Sequence, residues 1–244
     1  VYVSHPAMIP IRMVRSATRT GHDGTLGTTV IPPPDGLPPV LHADERLLVF
    51  DKPSGLLSVP GIGPEKADCL VARAEVAYPG ARIVHRLDRD TSGVIVLARD
   101  AEAHRQLSVA FQERHANKRY LALVSKVPEA ASGVIDFPMR KDMCRPPRQV
   151  IDWRAGRAAT TRWSLLEAGD DTALLSLEPV TGRTHQLRLH LAVSGHPILG
   201  DDLYATGTAR EDDRLMLHAA ELTVPHPDDG RPVRFAANSP LPAP

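Results

Sequence analysis

Strand-length apolar runs in an irregular order constrain this chain's fold more than any other feature. Residues 47–50 form one such run, stopped by Pro53 and turned at Gly55, and a compact domain is expected to start near Val40. Further strand patterns fall at 94–98, 118–126, 134–137, 162–167, 172–177, 215–224 and 232–235. An Ala-Gly-Asp-Asp turn makes 162–177 a hairpin, and HPDDG at 226–230 joins the last pair. Helical patterns interrupt them at 66–78, ended by the Pro79-Gly80 breaker, and after Asp100, a cap for a stripe of Ala103, Leu107, Ala110 and Phe111. Without a regular βαβ alternation, the class expected is α+β with a largely antiparallel sheet. HQLRLHL at 185–191 stays open: it alternates like a strand, yet Leu187 and Leu191 are also one helical turn apart and Gly195 is a helix terminator.

The chain has 244 residues, 42% of them hydrophobic, enough for one large domain or two small ones. Residues 1–39 are rich in proline and glycine and read as an N-terminal arm, partly mobile. No apolar run approaches the roughly 18 to 20 residues that span a bilayer. Arg12 and Arg15 are followed by no secretory pattern, so the cytoplasm is the expected compartment. Cys69 and Cys144 lack zinc or disulfide spacing and read as reduced thiols.

A formal charge of zero argues against a protein that coats nucleic acid through bulk charge. Local patterning differs: Arg140, Lys141, Arg145, Arg148, Arg154, Arg157 and Arg162 face only Asp142 and Asp152 in the stretch 137–162. An anion-binding face and an ordinary solvated surface are both consistent with that run.

HRLDRDTSG at 85–93 places polar chemistry at the mouth of the apolar run 94–98. Asp88 is either a turn former or a reactive carboxylate. Three other groups bear on it. Arg86 offers a planar cation for bases or phosphates. Tyr120, in NKRYLALV at 117–124, is either a core residue or a surface on which a base stacks, in a chain only 4% aromatic. In the stretch 181–201, Arg188 is suited to pair with a buried aspartate and keep it ionised, while Arg183, Thr184, His185 and Gln186 offer donors to a base or phosphate. His190 and His196 read as internally hydrogen-bonded. His185 and His190 share no face of a helix or strand, which disfavours a metal pair, and no glycine-rich nucleotide loop is present.

HRLDRDTSG, KPSGLLSVPG at 52–61, NKRYLALV, GRTHQLRLHL at 182–191 with GHPILGD at 195–201, LHA at 217–219 and HP at 226–227 together resemble the pseudouridine synthases of the ribosomal large-subunit synthase A family. The resemblance covers roughly 40–240, making 40–244 the catalytic domain. It implies a long mixed sheet in two subdomains flanked by helices, with the site in the central cleft and a helix at 185–193. It implies Asp88 as catalytic residue, Tyr120 packed on the target base, Arg188 in a salt bridge with Asp88, and Arg86 filling the gap left by a flipped-out uridine. The implied reaction is uridine-to-pseudouridine isomerisation in large-subunit rRNA, a tRNA anticodon stem-loop or both, by a monomer with no cofactor and no metal. RNA contacts are assigned to Arg183, Thr184, His185, Gln186, Arg145, Arg148 and Arg154. The alternatives are a catalytically silent RNA-binding or ribosome-assembly factor on the same fold and a metal-dependent nucleic-acid hydrolase. The arm matches no motif of the family, and 140–157 matches only loosely.

Overall fold

The computed structural model describes residues 36–244, so the expected arm at 1–39 lies outside the described residues except at its end. The order begins β1 (Val40–Ala43), β2 (Leu47–Lys52), α1 (Leu70–Ala77), β3 (Arg82–Ile83), β4 (Ser92–Ala98), α2 (Ala101–Gln112) and β5 (Asn117–Ser125). It continues with β6 (Ser132–Asp136), β7 (Met139–Lys141), β8 (Gln149–Ile151), β9 (Thr160–Ala168) and β10 (Thr172–Pro179). Helix α3 (Gln186–Val193), β11 (Leu217–Pro225) and β12 (Pro232–Ala236) close it.

Among the described residues, ten strands form one sheet along β1-β2-β4-β11-β5-β10-β9-β6, with β3 added to β4 and β12 to β11; β7 and β8 pair separately. Among the described residues, every strand pairing is antiparallel except β4 with β11, in keeping with the α+β expectation.

Strand β4 is buried along its whole length because both faces are covered. Leu48, Phe50, Ile95 and Leu97 pack with Leu70 and Ala74 of α1, while Leu47, Val49, Val94 and Val96 pack with Ala103 and Leu107 of α2. That double cover explains an uninterrupted apolar run instead of an alternating one. A further core, with Val124, Leu175, Leu177 and Leu187, fills the half of the sheet around β5 and β10.

Asp100 caps α2 as expected, its carboxylate accepting from the backbone amides of Glu102 and Ala103, both at 2.8 Å. The helix expected at 66–78 is shorter. Cys69 is extended, and the amides of Leu70 and Val71 donate to the carbonyls of Leu57 and Ser58, so the preceding loop satisfies the start of α1. The open segment at 185–191 is helical. All of Gln186–Leu191 is buried, so no solvent-facing residue marks its period, and Gly195 ends it at φ 89°.

Candidate active site

The HRLDRDTSG loop is held by the segment that follows β2. Lys52 is fully buried and donates to the carbonyls of Pro53, Leu56 and Arg89 at 2.9, 2.7 and 2.9 Å. Ser54 Oγ donates to the carbonyl of Asp90, and the Gly55 amide to that of Arg89. Ser58 Oγ donates to the Leu87 carbonyl at 2.7 Å and accepts from the Leu87 amide at 3.2 Å. These bonds grip backbone, so the path of the loop is fixed without consuming the side chains of Arg86 and Asp88. Burial pulls the Lys52 pKa down to about 8, against the charges of Asp90 and Asp88, which favour the ammonium.

His85 fastens the loop to β4. Its Nε2 accepts from the Val96 amide at 3.1 Å, and its ring stacks on Phe111 with centroids 4.5 Å apart. Burial, with the charge of Lys118 adding to it, holds its pKa at about 3 and keeps the ring neutral. The Thr91 amide then donates to the Asp88 carbonyl at 3.2 Å, closing the turn. Gly93 lies at φ 109° where β4 meets β11, and a Cβ there would run into the Ala219 carbonyl, which is why the turn ends on glycine.

Asp88 and Tyr120 line the same cleft, of about 690 Å³. Among its lining residues Asp88 is the only carboxylate, against six cations: Arg86, Arg89, Arg114, Lys118, Arg183 and Arg188. Tyr120 sits on β5 between Ala219 of β11 and Leu177 of β10 and packs against two of the hydrophobic cores, at the seam between the halves of the sheet. Burial raises its pKa, and the charge of Asp88 raises it further. Arg86 lines the cleft and is exposed.

The expected salt bridge between Arg188 and Asp88 is corrected. Arg188 Nε donates to Asp201 Oδ2 at 2.8 Å, and Nη2 donates to Asp201 Oδ1 at 2.6 Å and to Asp202 Oδ1 at 2.8 Å. Asp201 is fully buried and offers a bidentate partner close by, whereas Asp88 is half-exposed. Asp88 acts on Arg188 through its field: burial alone would lower the arginine's pKa, but Asp201 together with the charges of Asp88 and Asp202 raises it.

Arg183, Thr184 and His185 reach the cleft. His185 starts α3 in a left-handed conformation, φ 54°, with Nδ1 and the Tyr204 hydroxyl 2.9 Å apart. Burial lowers its pKa and Asp88 opposes the shift. Gln186 also lines the cleft, but its amide is already engaged: it donates to the Thr160 carbonyl and Thr161 Oγ1 and accepts from Thr181 Oγ1 and the Arg183 amide. It braces the turn and is not an open donor for RNA. Arg145, Arg148 and Arg154 do not line the cleft. Arg145 pairs with Asp142, Arg148 lies over the Tyr204 ring at 5.6 Å, and Arg154 is exposed just beyond β8. His190 is bonded internally, to Thr161 Oγ1 and the Phe137 carbonyl, and His196 to the Lys126 carbonyl. The roles of Lys52, His85 and Asp201 went unread in the sequence. Their signal was present in KPSG, HRLD and GHPILGD, but each has a deciding partner beyond its motif: Arg89 for Lys52, Val96 for His85 and Arg188 for Asp201.

One carboxylate and one aromatic ring share a cation-rimmed cleft at the seam of a long mixed sheet, an arrangement suited to a base and its phosphates. The chain belongs to the RNA pseudouridylate synthase family, whose model matches residues 46–193. It is similar to the dual-specificity RNA pseudouridine synthase RluA of Escherichia coli CFT073, with 45% identity over 208 residues, 84% of this chain and 95% of that protein. The protein of the same name from Yersinia pestis is 43% identical over 198 residues, 80% of this chain and 96% of that one. Among solved structures, human RNA pseudouridylate synthase domain containing 1 superposes with a TM-score of 0.71 at 28% identity, covering 86% of this chain and 87% of its own. Human RNA pseudouridylate synthase domain containing 4 gives 0.66 at 29% identity, covering 82% and 88%. The protein is accordingly an enzyme that isomerises uridine in RNA to pseudouridine. Among the described residues, no helix is long and apolar enough to cross a membrane.

Proposed function

We propose that the chain acts on a uridine flipped out of large-subunit rRNA, a tRNA anticodon stem-loop or both, as a monomeric cytoplasmic enzyme without a cofactor. The observation that carries this reading is Asp88 as the lone carboxylate of a cleft that it shares with Tyr120 and six cations. The names of the relatives, dual-specificity RNA pseudouridine synthases, support more than one RNA target.

The reaction breaks the bond between N1 of uracil and C1′, turns the base, joins C5 to C1′ and moves the proton of C5 to solvent while N1 gains one. No atom is gained overall, so no cofactor is required. A stacked base is out of reach, and extrusion costs a few kcal/mol, least in loops. Arg86, exposed at the mouth of the cleft, stacks into the vacancy. Asp88 attacks C1′ or removes the proton of C2′ to give a glycal; both routes need the ionised carboxylate. The buried Arg188, fixed by Asp201, supplies the positive field for it. Ordinary glycosidases use a second carboxylate to protonate the leaving group. Here the departing uracil is an anion, held for rejoining against Tyr120.

The test uses RNA transcripts 5-tritiated at uridine. Asp88→Asn is expected to release no tritium while retaining RNA binding; normal turnover by that variant overturns the assignment. A wild-type protein that binds but releases no tritium would instead point to a silent RNA-binding factor.

A further inference from the structure

Cations that a fold draws together without intervening carboxylates repel one another until an anion joins them, so such a cluster marks an anion site. The basic run at 137–162 fits that description only in part. Arg140 is paired with Asp152, Arg145 with Asp142, and Arg148 covers an aromatic ring.

A different set fits it better. Arg114 follows α2 in a left-handed conformation, φ 64°, and lines both the active cleft and an adjoining groove of about 480 Å³. That conformation closes α2, the His115 amide donating to the Ala110 carbonyl at 2.8 Å, and it leaves the guanidinium exposed, with no ion pair among the described residues. Arg183 donates from Nε to the carbonyl of Ala158 at 3.2 Å, which brings it beside Arg157. Lys118 approaches from β5: a Cβ on Gly182 would stand 3.4 Å from its Nζ. Arg114, Arg157, Arg183 and Lys118 have no ion-pair partner among the described residues. Of the carboxylates nearby, Glu113 lies 3.7 Å from His115, and Glu221 is held by Arg119 and Arg234; Glu178 alone lines the second groove without an ion pair. Burial lowers the Arg183 pKa, and the charges of Arg157 and Arg114 lower it further, as mutual repulsion requires.

We propose that Arg114, Arg157, Arg183 and Lys118 form a clamp for RNA backbone phosphates, gripping the strand beside the extruded uridine and leading it from the active cleft into the second groove. The clamp rests on the reading of the cleft as a uridine site. Three guanidiniums from three parts of the chain give planar donors that suit phosphate oxygens, and their mutual repulsion is relieved when the strand arrives.

The triple variant Arg114→Gln, Arg157→Gln, Arg183→Gln tests it on a 5-tritiated large-subunit rRNA transcript and a tRNA transcript. The plot of log affinity against log salt, between about 50 and 200 mM, is expected to be shallower by about 2, because each phosphate contact contributes a slope of roughly 0.7 to 0.9. KM is expected to rise by about tenfold or more, with a smaller fall in the saturated rate. An unchanged slope and KM overturn the clamp, as does transfer of the slope loss to the variant Arg145→Gln, Arg148→Gln, Arg154→Gln. A lowered melting temperature in the triple variant would also overturn it, by assigning the arginines to the fold; relief of repulsion predicts no change or a rise. Tritium release by the wild type with no slope change in the variant defeats the clamp alone. Steep, clamp-dependent binding without any tritium release would defeat the enzymatic reading and leave the clamp standing.

Discussion

Arg188 and Asp201 form a bidentate pair beside the cleft, with side-chain exposures of 3% and 1% and N–O distances of 2.8 and 2.6 Å. Asp201 also accepts from the amides of Leu203 and Tyr204, so one carboxylate fixes the arginine and the turn that follows. Removing Asp201 leaves the buried guanidinium only the exposed carboxylate of Asp202, at 2.8 Å, as an ion-pair partner. Asp201→Ala is expected to cost about 3 to 5 kcal/mol of stability and to depress kcat more than it raises KM. Urea denaturation and tritium-release kinetics measure the two effects, and a loss under about 1 kcal/mol would contradict the buried-charge account.

Lys52 joins the loop after β2 to the loop of Asp88 through three carbonyls. Lys52→Met keeps most of the volume but strands those acceptors, at about 1 to 3 kcal/mol for each that finds no water. The expected outcome is a lower melting temperature and a kcat reduced by at least tenfold, roughly 1.4 kcal/mol of lost transition-state stabilisation. Wild-type kcat in a folded Lys52→Met protein would separate Lys52 from the geometry of Asp88.

Acid should destabilise the fold from an unusually high pH. His85 has a folded pKa of about 3 against 6.5 unfolded, so the unfolded chain binds the extra proton first. Its contribution is complete above about 6.5 and is lost as pH falls towards 3, with a limiting slope of about 1.4 kcal/mol per pH unit. The lowered pKa values of His190 and His218 act with the same sign. Chemical denaturation from pH 7 to 4 should show the decline, and His85→Gln should flatten it; a flat wild-type profile in that interval would refute the assignment.

Arg114 holds a backbone conformation that glycine adopts freely. Arg114→Gly is expected to leave stability unchanged or raise it by up to about 1 kcal/mol, the relief of a left-handed residue being partly offset by a more flexible unfolded chain. RNA affinity should fall in the same variant. Thermal unfolding and filter binding measure the two effects, and unimpaired binding would remove the reason for an arginine there.

The sequence was most informative where structure is local. The Asp100 cap, the hairpin across 162–177 and the buried run before Ala98 were legible because each depends on residues close together in the chain. HRLDRDTSG and its companion motifs carried the family in the same way. The helix of 185–191 was not legible from periodicity, because burial on every side removes the polar face that would reveal its period. Pairing was the larger gap. Arg188 was expected to pair with Asp88, and the structure pairs it with Asp201 and Asp202. Asp201 has it, because it lies one turn-and-loop away in full burial, while Asp88 faces the open cleft. The chain by itself determined which groups are available and the class of chemistry they serve. The sheet decided which of them meet, since hydrogen bonds and ion pairs act over a few ångströms and only its crossing strands bring positions as distant as Lys52 and Arg89, or Arg114 and Arg183, within that range.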